Sequence, residues 1–536
     1  MRRLPSTNPS NRASRRYFLQ SIGALGLAGV FRPTQSDSAV GADFCTTGDG
    51  KATTLFIPGD SGYLGRLALR GKPLTLIASA VGALPPGIVH GPIAYRAQHK
   101  GRDYINPTLV VRRGERVQIE LVNRLDKPTI AHWHGLAVDT HNDGAGMNLV
   151  APGESYAYDF AATDRGALYW YHPHPHGETA RQMYNGLYGA IALEDDDEDS
   201  LRKALDLVPG RSEIALVMQD RKADSSYLPS AADLMHGFFG DELYVNGTRC
   251  PYLDVASRVY RLRILNACNA RTLRLALRGS ASARIPFIVI GNDGGLLPAP
   301  QRAEQAFVAT AERLDILVDL RDAPVGETLV LESLAFDPMH TETTGATATE
   351  HAAHDHGSAW PEGIARALLQ LRVREHVVYD RHIPSSFSSV VPTDTSNARE
   401  RPFRLGFNKG RWRINDRVFV MGETPIEVAR DSTEIWLLRN YHTSMPHAMH
   451  LHGFHFEILE RETSPDFVHA HAIDERGRLA ADLGRKDTVL VWPGERRDSV
   501  RNAVFRPANV RVPLPQSRAR GWRHDAWRES CVILTL

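Results

Sequence analysis

The residues best placed to do chemistry in this sequence are histidines that recur at short spacing. In a β-strand, residues i and i+2 face the same side, so a His-x-His pair directs two imidazoles one way and the intervening residue the other. Imidazole is a common neutral ligand for copper and zinc, and two such strands side by side would surround a metal with four nitrogens. One pair alone is more often a surface feature, but three clusters predict a metal site assembled from distant parts of the chain. The clusters are His132-Trp133-His134-Gly135, His172-Pro173-His174-Pro175-His176-Gly177, and a looser group of His447, His450, His452 and His455.

Length and charge restrict the class of protein. The chain has 536 residues, which corresponds to about three or four domains. Its 63 basic and 62 acidic residues nearly cancel, so electrostatics give no reason to expect a nucleic-acid or anionic-membrane partner. The 43 glycines and 32 prolines favour a loop-rich β architecture over a helical one.

The N-terminal segment has the pattern of an export signal. Ser14-Arg15-Arg16-Tyr17-Phe18-Leu19 follows a polar, basic region and precedes a mildly apolar run over 22–31. This pattern resembles a twin-arginine signal, and the run is too short for a transmembrane helix. We expect a signal segment over 1–42, cleavage after Ala42 and recognition by the twin-arginine export machinery. The mature protein would then be periplasmic or otherwise extracytoplasmic, without an integral membrane segment.

Short alternating segments predict β-sandwich domains along the rest of the chain. Residues 117–122 and 156–160 alternate apolar and polar side chains, which is typical of half-buried strands. Similar segments recur at sandwich-like spacing, so we expect three consecutive domains over 43–200, 201–375 and 376–536. We interpret the acidic run 194–199 at the first junction as a solvated linker.

Two further features carry weaker predictions. The stretch 341–357 contains His351, His354 and His356, and we interpret it as a loop rather than a copper-collecting segment, because nothing in the sequence fixes its geometry. The cysteines can form disulfides in an exported protein, but their pairing stays open. We expect the two in the second domain to be structural. The four cysteines are Cys45, Cys250, Cys268 and Cys531.

Taken together, the motifs resemble the multicopper oxidase family, and most closely its bacterial bilirubin-oxidase-like and spore-coat-laccase-like members. The similarity extends over roughly 53–495 and includes 240–247, 266–271 and 311–315. The resemblance implies an all-β chain of three cupredoxin-like Greek-key β-sandwiches. It also implies a type 1 copper that takes electrons from a donor, and a type 2 and binuclear type 3 cluster that reduces dioxygen to water.

The resemblance also implies roles for individual residues. Type 2 copper would be bound by His132 and His450, the type 3 pair by His134, His172, His174 and His452, and type 1 copper by His447. Asp143 matches an acidic position that relays protons near the cluster, although an Asp-Gly pair such as Asp143-Gly144 is also a common turn. His176 and His455 match no ligand position.

The C-terminal tail departs from the family pattern. Members of the family close with a His-Cys-His segment, a further His and usually Met, which supply two type 3 ligands, the type 1 thiolate and the second type 1 imidazole. After Glu495 the sequence holds one cysteine, Cys531, and one histidine, His524, which are not adjacent. Back-translated with permitted codons and read one base later, 513–526 gives His-Cys-His-Asn-Leu-Glu-His-Glu-Asp-Gly-Gly-Met-Met, the missing segment. We infer a frame change between Glu495 and Asn509, so that 496–536 is aberrant and the third domain lacks its usual C-terminal strands.

Three functions compete at this point. The first is an exported multicopper oxidase whose electron donor is a phenol, a tetrapyrrole or a metal ion. The second is a non-catalytic periplasmic copper-binding protein, because the chain as written lacks the type 1 cysteine. The third is a zinc-binding sandwich, since histidine-rich sites also take zinc. The family resemblance favours copper over zinc, and the tail decides between the first two.

Overall fold

Six β-sheets make up the part of the chain that the structure describes. This computed structural model describes residues 51–146, 148–340, 358, 360–408, 411–418, 420, 426–429, 432–442, 444–462 and 464–494, with the backbone of 500–505 and 534–535. The predicted signal segment, the stretch 341–357 and most of the tail lie outside the described residues. None of the helices within these ranges is long and apolar enough to cross a membrane.

The first sandwich carries the first two histidine clusters. Strand β8 confirms the prediction for 117–122, because Val117, Ile119 and Leu121 are buried while Arg116 and Glu120 are exposed. The six-stranded sheet has the order β10-β8-β4-β5-β6-β2, and the five-stranded sheet has the order β3-β7-β12-β11-β9. The strands of this sandwich are β2 (Gly62–Tyr63), β3 (Arg66–Ala68), β4 (Leu74–Ala80), β5 (Ile93–His99), β6 (Arg102–Ile105), β7 (Thr108–Arg112), β8 (Arg116–Asn123), β9 (Ala131–His134), β10 (Ser155–Ala161), β11 (Ala167–Pro173) and β12 (Gly189–Glu194), and helix α1 (Thr179–Tyr184) precedes β12.

The second sandwich consists of two seven-stranded sheets around the largest apolar core, and strand β1 near residue 53 joins it through a parallel pairing with β16. Its first sheet contains β1 (Thr53–Thr54), β16 (Pro251–Ala256), β18 (Leu273–Arg278), β19 (Arg284–Ile285), β22 (Gln305–Val308), β24 (Thr328–Ser333) and β25 (Arg366–Glu375). Its second sheet contains β13 (Glu213–Arg221), β14 (Glu242–Val245), β15 (Thr248–Arg249), β17 (Val259–Asn266), β20 (Phe287–Asn292), β21 (Gly295–Ala303) and β23 (Arg313–Asp319), and helix α3 spans Ala231–His236.

The third sandwich is smaller and carries the third histidine cluster. Its five-stranded sheet has the order β27-β26-β28-β32-β30, whereas its second sheet has three described strands in the order β31-β29-β33. Two of these strands, β32 and β33, come from the segment that we expect to be aberrant. The elements are β26 (Arg399–Asn408), β27 (Arg411–Ile414), β28 (Thr433–Asn440), β29 (His447–Leu451), β30 (Phe456–Glu460), β31 (Thr488–Val491), β32 (Val500–Phe505) and β33 (Leu534–Thr535), with helix α4 (Asp466–His469) and a 3₁₀ turn (Ala480–Asp482).

The acidic run 194–199 is not a solvated linker, so that prediction is wrong. Asp195 caps helix α2 (Asp196–Leu205) by accepting a hydrogen bond from the Glu198 amide at 3.0 Å. The acidic first turn also suits the positive end of the helix dipole. Glu198 is fully buried and accepts hydrogen bonds from Arg261 of the second sandwich at 2.6 and 2.8 Å. The run therefore starts a helix that is tied to the next domain by a buried ion pair.

Candidate metal centre

Two adjacent strands of the first sandwich place four histidines on one face. Strands β9 and β11 pair antiparallel, with His172 opposite His132 and Trp133 opposite Tyr171. Trp133 and Tyr171 point into the apolar core of the sandwich, so the histidines at alternate positions point the other way. The His132 ring centre lies 5.6 Å from that of His134, 5.3 Å from that of His172 and 5.4 Å from that of His174. The geometry brings all four together.

The third cluster meets this face from the third sandwich. His450 lies on β29 and stacks on His134 with 3.6 Å between ring centres. His452, just beyond the strand, stacks on His132 at 4.0 Å and lies 4.9 Å from His174. Six histidines from distant parts of the sequence thus meet between two sandwiches, and all of them but the half-buried His174 are buried.

Two of these imidazoles are held in the form that binds a metal. His132 Nδ1 donates a hydrogen bond to the Asp143 carbonyl oxygen at 2.7 Å, and His450 Nδ1 donates to the Asp487 carbonyl oxygen at 2.8 Å. Each Nε2 keeps its lone pair, and both are buried without a hydrogen-bond partner. A backbone acceptor on the far nitrogen is the usual support of a metal-binding histidine. The donor set therefore fits a copper ion.

The ligating atoms also fit by distance. Three groups each place their ligand atoms within 4.8 Å of one another, namely His132 with His450 and His452, His132 with His134 and His172, and His134 with His450 and Asp487. Overlap of the groups through shared histidines matches a centre that holds more than one ion.

The cluster disfavours protonated imidazole. Burial lowers the pKa of His132, and it lowers the pKa values of His134, His172 and His174 well below the usual range. Neighbouring imidazoles add to the effect, since a second positive charge nearby is unfavourable. The four rings are neutral near pH 7, which is the state in which histidine binds copper.

Asp143 lies between the two halves of the cluster, which are the histidines of the first sandwich and those of the third. Its Oδ2 accepts a hydrogen bond from His452 Nδ1 at 2.9 Å, while its Oδ1 lies 3.4 Å from His132 Nδ1. Burial alone would raise the pKa of Asp143, but His452 and His132 outweigh burial and hold it well below its usual range. Gly144 lets this loop approach, because a Cβ there would lie 1.9 Å from the Ala131 carbonyl oxygen at a φ of +73°. Asp143 is thus a buried residue that orients one histidine of each sandwich, His132 and His452.

The remaining predicted ligand, His447, lies outside this cluster. His447 starts β29 and lies beside Ser444 Oγ at 3.1 Å and the Trp412 ring at 4.7 Å. A type 1 site needs a thiolate there, and the third domain up to Gly494 contains no cysteine. The residues present do not fit a complete type 1 copper site.

The other histidines and cysteines have different environments. His176 is exposed. His455 is half-buried beside two carboxylates, with Asp164 at 3.7 Å and Asp487 at 3.9 Å. Cys268 is a free thiol in the core of the second sandwich, and Cys250 is disulfide-bonded. None of these joins the histidine cluster, while His351, His354 and His356 lie outside the described residues.

Sequence reasoning missed two charged residues at the cluster. Asp487 Oδ1 lies 3.2 Å from His134 Nε2, and Arg313 donates a hydrogen bond of 2.8 Å to the same Asp487 oxygen. Both residues are fully buried. The signal was present, because Arg313 starts a mostly apolar strand and Asp487 directly precedes another. A buried charge in such a strand needs a partner, and that partner could not be identified from spacing alone.

Comparisons with known proteins agree with this geometry. Residues 97–198 and 392–509 each match a family model described as multicopper oxidase. The cell division protein FtsP of Xenorhabdus nematophila is 30% identical over 421 residues, which cover 77% of this chain and 79% of that protein. The multicopper oxidase mco of Staphylococcus haemolyticus is 36% identical over 217 residues, or 40% of this chain and 47% of that protein.

A solved structure extends the similarity to the fold. The crystal structure of the McoA multicopper oxidase from Aquifex aeolicus superposes with a TM-score of 0.70 at 34% identity, covering 85% of this chain and 92% of that one. The sandwiches described above are therefore cupredoxin-like, and the all-β prediction is confirmed. With the two family matches at the histidine-bearing sandwiches and this likeness over most of the length, the chain belongs to the multicopper oxidase family.

Proposed function

We propose that this protein descends from exported copper-dependent oxidoreductases that couple one-electron oxidation of a phenolic, tetrapyrrole or metal-ion donor to the reduction of dioxygen to water. The observation that carries the proposal is the convergence of six histidines, five of them buried, with the Nε2 atoms of His132 and His450 unpaired. His132 and His450 would hold type 2 copper. The type 3 ligands present would be His134, His172, His174 and His452. In this proposal the chain has three domains, over 43–200, 201–375 and 376–536, and the copper ligands come from the first and the third.

The chain's own residues would fix the centre and manage protons. Copper bound at these imidazoles would supply the electron transfer that reduces dioxygen. Asp143 would orient His452 through its carboxylate and His132 through its carbonyl, and it is placed to pass a proton between the two halves. Burial of His132, His134 and His450 would keep bulk water away from the reacting centre.

The chain as written is an impaired member of this lineage. The type 1 cysteine, the second type 1 imidazole and two type 3 ligands are missing, so electrons have no complete entry site. We attribute the loss to a frame change between Glu495 and Asn509, and the family match does not continue past residue 509. A non-catalytic copper-binding protein is the second candidate, which the absence of a cysteine near His447 in the sequence favours.

Export would proceed by the twin-arginine route and deliver the protein to the periplasm. The support is Ser14 to Leu19 before a weakly apolar run. Changing Arg15 and Arg16 together to Lys should keep the protein in the cytoplasmic fraction. Equal periplasmic recovery of the variant would exclude this route.

The test compares two proteins side by side. One is the chain as written, and the other restores the shifted frame after Glu495 so that the tail encodes His-Cys-His. After loading with copper, the restored protein should turn blue and consume oxygen with a phenolic or diamine donor. The written chain should bind copper without blue absorption and without measurable oxygen uptake.

Each other result has a definite reading. Blue colour and activity in the written chain would show that our interpretation of the tail is wrong. A restored chain that binds copper but is neither blue nor active would favour the second candidate. Selective retention of zinc over copper by both proteins, measured by elemental analysis, would replace the oxidase proposal with the zinc-binding alternative.

A further inference from the structure

Arg313, from the middle sandwich, lies where the three sandwiches meet. It is fully buried at the start of β23. Its Nε donates to the Leu168 carbonyl oxygen of the first sandwich at 3.1 Å. Its Nη1 and Nη2 donate to carbonyl oxygens of its own sandwich, at Ala311 (3.0 Å) and Asp293 (3.1 Å). The same two nitrogens donate to both carboxylate oxygens of Asp487, from the third sandwich. All five N–H groups are used, in three domains.

Asp487 connects this guanidinium to both halves of the histidine cluster. Its carboxylate Oδ1 lies 3.2 Å from His134 Nε2, in the first sandwich. Its carbonyl oxygen accepts the hydrogen bond from His450 Nδ1, in the third. Asp487 thus contacts one imidazole of each half of the cluster. Among the arginines that the structure describes, only Arg313 binds its carboxylate.

The packing around this pair leaves little room for adjustment. A Cβ at Gly135 would lie 2.4 Å from Asp487 Oδ2 and 2.9 Å from Arg313 Nη2. Next to Asp487, Lys486 is also buried and pairs with Asp293 at 3.0 Å and with Glu312 at 3.2 Å. The middle sandwich therefore forms ion pairs with two consecutive residues of the third sandwich, Lys486 and Asp487.

We propose that Arg313 is a positioning residue for the copper centre, which sets the spacing of the two histidine half-sites through Asp487. The inference rests on the proposed function, since it requires copper to bind at this cluster. It gives the middle sandwich, whose described residues supply no histidine to the cluster, a defined role. Residues that orient metal ligands typically change metal affinity about ten- to a hundredfold when removed.

The guanidinium is suited to this role in a way that an ammonium is not. Its planar fork fixes the direction of Asp487 by two parallel hydrogen bonds, while Nε reaches Leu168 in another domain. Lysine would keep the charge but could not make both contacts at once. Arg313→Lys should therefore weaken copper binding less than Arg313→Met, which also leaves Asp487 buried without its counter-charge.

Arg261 provides a matched control. It is an equally buried arginine on β17 of the same sheet, with charged hydrogen bonds to Glu198 and Asp315. No contact joins it to a histidine of the cluster among its described hydrogen bonds and ion pairs. Arg261→Met should lower stability as any lost buried ion pair does, without a specific effect on copper.

The experiment uses the full chain and Cu²⁺ as the probe. For the original protein, Arg313→Lys, Arg313→Met, Asp487→Asn and Arg261→Met, one measures the copper affinity, the thermal midpoint with and without copper, and the paramagnetic resonance spectrum of bound Cu²⁺. Arg313→Met and Asp487→Asn should lose about tenfold or more in affinity, most of the copper-induced rise in midpoint and the original hyperfine pattern. Arg261→Met should lower the copper-free midpoint but keep the affinity, the rise and the spectrum.

The outcomes separate the two proposals. If the original protein binds no copper at the cluster, the proposed function fails. If it binds copper and Arg313→Met retains its affinity and spectrum, only the positioning role fails. An equal loss in Arg261→Met would reduce Arg313 to a general stabilising contact and overturn the inference. Should Arg313→Met fail to fold, Asp487→Asn and Arg313→Lys decide the matter, since unchanged copper binding in both would contradict it.

Discussion

The two halves of the histidine cluster are supported very differently. In the first sandwich, β11 is hydrogen-bonded to β12 on one side and to β9 on the other, and both histidine-bearing strands pack against a large core. In the third sandwich, β29 pairs with β31 along four residues, but on its other side the two-residue β33 reaches only His450 and Leu451. The first half belongs to a five-stranded sheet over a large core, whereas the second half belongs to a sheet of three described strands over a smaller core.

The difference is offset by contacts that cross between the halves. Asp143 of the first sandwich accepts a hydrogen bond from His452 of the third, and Asp487 of the third contacts His134 of the first. Each sandwich therefore contributes a carboxylate that fixes a histidine of the other. Histidines on a larger sheet and core are pre-organised by their own sandwich, while those on a smaller one depend more on contacts with the other sandwich. We expect changes in the first half to have the larger effects.

The largest effect should come from Gly144→Ala, in the loop behind His132. The new Cβ would collide with the Ala131 carbonyl oxygen, 1.9 Å away, at a φ of +73° that Ala tolerates poorly. Strain and overpacking together should cost about 2–6 kcal/mol. The displaced loop would also carry away Asp143, whose carbonyl orients His132. Calorimetry should show a lower thermal midpoint, and elemental analysis should show reduced copper per chain.

An unchanged Gly144→Ala variant would weaken the contrast between the two halves of the cluster. If Gly144→Ala retains both the midpoint and the copper content of the original protein, the first half is not the rigid one. A lower thermal midpoint with normal copper content would show that Gly144 stabilises the sandwich but is not needed to orient His132.

Some of this organisation was accessible from sequence, and the reason is local periodicity. Alternation predicted β8, and the His-x-His spacing predicted which side chains share a face. The helix at 196–205 was missed because Glu198 owes its burial to Arg261, 63 residues away, and such a partner is invisible to a local pattern. Arg313 and Asp487 were missed for the same reason, since their pairing joins two domains. The pattern identified histidines that meet in the fold but not the residues that hold those histidines in place.

An intermediate effect should appear in the pH dependence of stability, through His90. This residue lies in the first sandwich but away from the histidine cluster. Its Nδ1 donates to the Gly91 carbonyl oxygen at 2.9 Å, and its Nε2 accepts from Asn106 Nδ2 at 2.8 Å. Burial, with a smaller contribution from Arg221, lowers the pKa of His90 from 6.5 to about 4. The unfolded chain takes up a proton below pH 6.5 while the folded chain resists it down to about 4. Stability is therefore full above pH 6.5 and falls as the pH drops towards 4, by about 1–3 kcal/mol from this group.

The measurement compares the original protein with His90→Gln, which cannot titrate. Urea unfolding of both proteins at pH 7 and pH 4.5 should show a smaller acid-induced loss in the variant. Other buried histidines also contribute, but they are common to both proteins and cancel in the difference. Equal losses in the two proteins would show that His90 does not couple the first sandwich to pH.

The smallest effect should come from Gly453→Ala, which is the counterpart of Gly144→Ala in the second half of the cluster. Both glycines adopt a φ of +73°, and each lies next to a histidine or aspartate of the cluster. At Gly453, however, the nearest atom to a new Cβ is the Val138 carbonyl oxygen at 3.4 Å, which is an ordinary contact. Only the strain of the left-handed backbone remains, so we expect a cost of roughly 1 kcal/mol and a change in midpoint of about 2–4 °C. Because both variants make the same chemical change at the same backbone angle, the ratio of their effects measures how tightly each half is packed. A loss at Gly453 as large as that at Gly144 would mean that the second half is packed as tightly as the first.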